Sequence, residues 1–132
     1  MMAERERNMV NAADSYVAID LETTGIGAKR ERITEIGMVK VENGAVTDTY
    51  HTLVNPGRPI PEHITELTGI DDDMVKDAPM IQDVIGEVIA FCGTLPVLGH
   101  QIMFDYGFLV QAAVNGLSLI HISEPTRLDV IS

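Results

Sequence analysis

The chain has 132 residues, 45% of them hydrophobic, and a formal net charge of −11. That length and composition allow one domain with a real core, and the charge argues against holding a long nucleic-acid backbone by bulk electrostatics, which takes clustered Lys and Arg. It leaves open a local site at the end of a strand, where bound cations supply the missing positive charge.

Residues 1–14 read as an N-terminal extension. "MMAERERNMV" carries Glu4, Arg5, Glu6 and Arg7 and no apolar run, which argues against a secretory signal of the usual kind. The β-branched and apolar residues Tyr16 to Leu21 predict a strand, and "TTGIGAKRER" a glycine-punctuated turn. "ITEIGMVKVE" then runs into Asn43-Gly44 and on to "AVTDTYHTLVNP", the strongest short-range hairpin signal a sequence offers. Taken literally, that turn places Glu42 opposite Ala45 and Lys40 opposite Thr47. Pro56, Pro59 and Pro61 end the third strand. "PEHITELTG" predicts a short helix stopped by Gly69.

After Pro79, apolar residues fall at Met80, Ile81, Val84, Ile85, Val88, Ile89 and Cys92, with Gln82, Asp83 and Glu87 elsewhere, which is helical spacing. Cys92 is the single cysteine, so no internal disulfide forms and a reducing cytoplasm is the simplest home. Its neighbours Ile89, Ala90 and Phe91 mark it as a packing residue. "PVLGH" predicts a short buried strand and "QIMFDYGFLVQAAVNG" a helix. No apolar segment is long enough to span a bilayer, so no membrane partner is expected. A helix crossover into the fourth strand makes it a parallel neighbour of an earlier one. The fold class is α/β, with a mixed sheet of three antiparallel strands and then a parallel strand.

The first strand raises the chemical question. In "YVAIDLETTG", Asp20 and Glu22 are two residues apart, so their side chains share a face and repel. Asp105, in "LGHQIMFDYGFL", falls on the helix face of Ile102, Phe108, Leu109 and Ala112, which must point at the sheet. A carboxylate there is either costly or employed. Three converging carboxylates describe a hard-cation site for magnesium or manganese. In two-metal phosphodiester hydrolysis the ions sit about 4 Å apart and offset the mutual repulsion of the acids. Each residue alone reads more blandly. D-x-E on a strand is usually a solvated face, His100 before a helix is usually a cap or a core histidine, and Glu35 is a structural hydrogen-bonding partner. The joint spacing favours the site.

"VAIDLETTG", "ITEIGMVKV", "LVNPGRPIPEHITELTGIDDDMVKDAP" and "LGHQIMFDYGFL" resemble the first two motif regions and linking segments of the DEDD 3′–5′ exonucleases, in the DnaQ-like group of the proofreading ε subunit and the PolC-type exonuclease domain. The resemblance covers roughly Tyr16 to Gly116. It implies a ribonuclease-H-like fold, two divalent cations (Mg2+ or Mn2+) and release of nucleoside 5′-monophosphates from the 3′ end of single-stranded DNA. By that resemblance Asp20 and Glu22 match the first-motif metal ligands and Asp105 the second-motif acid. Thr23 and Leu67 match positions lining the pocket for the terminal nucleotide, with Phe104 near it. Gln101 stands where the family has asparagine.

The family's third motif, a histidine general base and a fourth aspartate at H-x-x-x-x-D spacing, is not found after Asp105. His121 and Asp129 are the downstream candidates, and their spacing does not match. The tail "LSLIHISEPTRLDVIS" resembles the conceptual translation of a transposase-end sequencing adapter. Residues 15–116 are therefore expected to be the N-terminal part of an exonuclease domain and 117–132 a non-native tail. A natural terminal strand built on Leu117, Leu119, Ile120 and Ile122 is the alternative. The fragment is expected to be inactive, truncated before the third motif. The rival functions are an exoribonuclease of the same superfamily and a non-catalytic module that docks on a DNA polymerase.

Overall fold

Alternation along the first strand decides which way the sheet faces. In β1 (Tyr16–Thr23) the residues Val17, Ile19, Leu21 and Thr23 are buried, while Ala18, Asp20 and Glu22 take the opposite face. The strand runs two residues beyond its expected end, so Glu22 and Thr23 lie inside it. The computed structural model describes residues 14–117 and 129–131, so the N-terminal extension lies almost wholly outside the described residues.

β2 (Ile33–Glu42) lies antiparallel to β1, and β3 (Ala45–Leu53) returns antiparallel to β2. The turn between them holds Asn43 at φ 53° and Gly44 at φ 79°. Positive φ at both central positions is what a two-residue hairpin turn of matching twist requires, and Asn-Gly is the pair that tolerates it. Glu42 faces Ala45 as expected, but Lys40 faces Asp48 rather than Thr47, because the register shifts between Lys40 and Val41. An extra residue in β3, Thr47, forms a β-bulge there, which the turn alone does not encode.

α1 (Glu62–Thr68) starts after Pro61 and ends at Gly69, as the sequence implies. A single-turn helix, α2 (Asp72–Val75), follows it unannounced by any apolar period. Asp71 caps it, accepting a hydrogen bond from the Met74 amide at 2.9 Å, and Asp72 accepts from the Ile60 amide at 2.8 Å. Ile60, Ile70 and Val75 form a small core of their own beneath these turns.

α3 (Ile81–Cys92) buries Val84, Ile85, Val88 and Cys92, the stripe its spacing predicts. The Cys92 thiol lies 3.9 Å from the sulfur of Met38 and burial pushes it up to about 11, so it is a packing residue. β4 (Pro96–Leu98) then pairs parallel to β1, Val17 opposite Val97. α4 (Ile102–Leu117) packs Ile102, Phe108 and Leu109 into the main core with Ile19, Leu21, Ile36 and Val88.

A fifth strand, β5 (Asp129–Ile131), pairs parallel to β4 and gives the order β3-β2-β1-β4-β5. No strand is expected there from the sequence, and the alternative terminal strand built on Leu117, Leu119, Ile120 and Ile122 falls almost wholly outside the described residues. The free edge of β4 offers unpaired backbone groups, and three residues can join it through main-chain bonds without any side-chain pattern. Residues 118–128, His121 among them, lie outside the described residues. Among the described residues no helix is long and apolar enough to cross a membrane.

Candidate active site

Asp20 and Glu22 reach the site from the end of β1, and Asp105 from the first turn of α4, which begins just beyond the parallel neighbour β4. That geometry follows from the crossover, since parallel strands deliver their C-terminal ends to the same edge of the sheet. Close approach here depends on Gly99. A Cβ on it would stand 3.0 Å from the backbone oxygen of Ile19, so the bend from β4 toward α4 sits almost against β1.

A second bulge shapes the end of β1. Glu22 faces Glu35, but Thr23 faces Ile33, which leaves Thr34 as the extra residue on β2. Such a bulge turns the strand locally and re-aims its side chains. The loop that follows is closed by its own polar groups. The Thr24 amide donates to the Arg32 carbonyl at 2.8 Å, the Arg32 amide donates to the Thr24 hydroxyl at 2.9 Å, and that hydroxyl donates to Glu31 at 2.6 Å. Thr23 donates its hydroxyl to the Gly25 carbonyl at 2.6 Å.

Between these elements lies a cleft of about 340 Å³. Its walls bring together Asp20, Glu22, Thr23, Leu67, Phe104 and Asp105, the metal-ligand and nucleotide-pocket residues expected from the sequence. Phe104 stacks at a tilt on Phe108, ring centres 4.9 Å apart, which fixes the cleft floor to the core. Leu67 projects from α1 with 81% of its surface exposed, and Ile26 faces the cleft from the loop after β1 with 85% exposed.

Sequence reasoning missed Ile26 and misjudged His100. Ile26 has a signal, a lone large apolar residue in an otherwise polar turn. His100 is neither cap nor core: it is exposed and lines the cleft, because the chain turns there from β4 into α4. Glu35 is a hydrogen-bonding partner as expected, its carboxylate accepting from the His51 ring nitrogen across 2.7 Å.

Asp105 is 3% exposed. Burial pushes its carboxyl up to about 7, and the nearby charges of Asp20 and Glu22 push the same way. Burial likewise raises Glu22, helped by Asp20 and then Glu35. Among the described residues no three His, Cys, Asp or Glu side chains already close on a common point tightly enough to hold an ion. The donor set nevertheless suits one. All three groups are hard carboxylate oxygens, they line one cleft, and Asp20 and Glu22 raise the cost of ionising Asp105, the situation that a divalent cation relieves.

The chain is similar to known proteins in both sequence and fold. The RNase_T exonuclease family matches residues 17–130. DNA polymerase III PolC-type of Caldanaerobacter subterraneus is 43% identical over 117 residues, 88% of this chain and 8% of that protein. The Bacillus subtilis PolC-type polymerase is 43% identical over 96 residues, covering 73% of this chain and 7% of its own length. The chain thus spans less than a tenth of either relative. Among solved structures, exonuclease X in complex with 5′-overhanging duplex DNA superposes with a TM-score of 0.60 at 33% identity, covering 70% of this chain and 52% of that one. E. coli exonuclease I in complex with a dA16 oligonucleotide reaches 0.69 at 14% identity, over 79% of this chain and 24% of that one, a likeness of fold. The chain belongs to the RNase_T exonuclease family, the DEDD-type exonucleases.

Proposed function

We propose that this domain is a metal-dependent 3′–5′ exonuclease that removes nucleoside 5′-monophosphates from the end of a DNA strand. The observation that carries the reading is Asp105, a carboxylate 3% exposed on an otherwise apolar helix face that opens into the cleft of Asp20 and Glu22. Nothing in packing rewards burying that group beside two like charges. Asp20, Glu22 and Asp105 would hold two divalent cations, Mg2+ or Mn2+. When bound, such ions lower the pKa of water and neutralise charge on the phosphate.

The rest of the cleft suits a strand terminus. Leu67, Phe104 and Ile26 offer apolar surface for the terminal base and sugar, and Thr23 and the backbone near Gly25 offer polar groups beside the acids. In the hydrolysis itself, water adds at the terminal phosphorus, the bond to the preceding 3′ oxygen breaks, and that oxygen takes up a proton. DNA is favoured over RNA by the polymerase relatives and by the DNA in the exonuclease X complex. The same relatives make a replicative DNA polymerase the proposed partner.

Downstream of Asp105 the sequence holds one histidine, His121, and one aspartate, Asp129, and they are not at H-x-x-x-x-D spacing. We therefore propose that the 132-residue chain alone turns over slowly or not at all. The test separates binding from turnover. Calorimetry with Mn2+ and thymidine 5′-monophosphate should show uptake that Asp20→Ala abolishes. Absence of uptake by the unaltered protein would sink the reading, and rapid Mg2+-dependent degradation of a 3′-labelled oligonucleotide would sink the claim of inactivity.

A further inference from the structure

Cations are distributed unevenly over this acidic protein. Six of its nine Lys and Arg residues lie among the described residues: Lys29, Arg30, Arg32, Lys40, Arg58 and Lys76. Two of these are occupied away from the cleft. Lys40 sits over the Phe91 ring, 4.6 Å from its centre, and Lys76 pairs with Asp73 at 2.9 Å. The other four concentrate in two loops, the one after β1 and the one before α1.

Both loops adjoin segments that line the cleft. Gly25 and Ile26 line it and are followed by Lys29, Arg30 and Arg32. Ile64, Leu67 and Thr68 also line it, and Arg58 lies just ahead of their helix. The loops are tied together, since the Arg58 guanidinium donates to the Arg30 carbonyl at 2.5 Å. Lys29, Arg30 and Arg58 are exposed and form no ion pair among the described residues. The neighbouring Glu31 carboxylate accepts from the Thr24 hydroxyl and pairs with none of the three cations.

We propose that Lys29, Arg30 and Arg58 form a phosphate-binding rim over which the strand runs as it leaves the cleft, upstream of its 3′ end. This extends the exonuclease reading and rests on it. A net charge of −11 repels a polyanion at long range, so a strand needs a local positive channel to reach three carboxylates at all. The exposed apolar side chains Ile26 and Leu67 line the same cleft as the acids, each on or beside one of the two loops that carry the cations.

The test uses Lys29→Gln with Arg30→Gln. The tether survives in that double variant, because Arg58 binds the carbonyl of residue 30 rather than its side chain. Binding in Ca2+ is measured at several salt concentrations for a fluorescent oligothymidylate and, separately, for thymidine 5′-monophosphate. We expect oligonucleotide affinity to fall about tenfold at low salt and its log–log salt slope to flatten by about 1.4, roughly 0.7 per lost contact to a single-stranded phosphate. The salt slope of the mononucleotide should not change. An unaltered oligonucleotide slope would overturn the rim, and so would equal losses for both ligands, which would mark the loop as support for the cleft. A protein that bound neither ligand before substitution would overturn the exonuclease reading and the rim with it.

Discussion

Glu22 on β1 stands directly opposite Glu35 on β2, and Glu35 in turn meets the imidazole of His51 at 2.7 Å. Glu35 thus lies between an acid directly opposite it on β1 and an imidazole reached diagonally on β3, where His51 itself stands opposite Gly37. Like charges opposite one another destabilise a sheet pair, and Glu35 is one of the groups that raise Glu22. Replacing Glu35 with Gln keeps the shape and removes the charge. We expect Glu22 to titrate closer to the ordinary carboxylate range in that variant, though still above it, because burial and Asp20 remain. Carbon-detected NMR titration in a chelator follows this directly. A Glu22 midpoint that did not move would show the pair to be uncoupled.

Asp105 gives the fold a pH dependence of its own. Its carboxyl is raised in the folded chain from the usual 3.8 to about 7, so the folded state binds the proton more tightly than the unfolded one. The contribution is fully favourable below about pH 4 and is lost as pH climbs through 7. Other carboxylates add their own slopes, so the comparison is with Asp105→Asn, which stays neutral throughout. In a chelator, that variant should match the parent in urea midpoint near pH 4 and exceed it above pH 8, by on the order of a few kcal/mol. Millimolar Mg2+ should narrow that gap by stabilising the parent, by about 2.7 kcal/mol if the ion is at a hundred times its Kd. If the parent and Asp105→Asn denature alike at every pH, the carboxylate is not where the structure puts it.

Much of this was legible because it rests on periodicity and on residues with one conformational role. The burial of Asp105 follows from Ile102, Phe108 and Leu109 at helical spacing, and the hairpin from Asn43-Gly44. Both bulges were invisible, since Thr34 and Thr47 look like ordinary strand residues and become extra only when two strands are laid side by side. The one-turn helix at Asp72 is too short to show a period; its cap, Asp71, is lost among three consecutive aspartates. β5 escaped for a related reason, because an edge strand of three residues is held by main-chain bonds. The rim cations needed a tertiary fact, the Arg58–Arg30 contact, that spans 28 residues of sequence.

The helix that carries Asp105 is seated by Leu109, 2% exposed on the same face. Leu109→Ala should cost about 2–5 kcal/mol, the usual range for opening a cavity at a fully packed leucine. Val46→Thr, on the exposed edge strand, should change stability by less than about 0.5 kcal/mol. Urea denaturation of both variants checks the contrast. A small effect of Leu109→Ala would mean that α4 is not packed on the sheet as described.

Leu67 supplies the sharpest separation of binding from folding. A leucine with 81% of its surface exposed contributes little to the core, so Leu67→Ala should leave the urea midpoint unchanged within error. Its apolar surface instead lines the cleft that the acids also line. Covering that side chain with a base and sugar is worth on the order of 1–1.5 kcal/mol by area, so thymidine 5′-monophosphate should bind about five- to tenfold more weakly to the variant. Mn2+ uptake without nucleotide should be unaffected, because Leu67 offers no ligand atom. Equal nucleotide affinity in the two proteins would place the terminal base elsewhere, and a fall in the urea midpoint would mean that Leu67 supports the fold rather than the ligand.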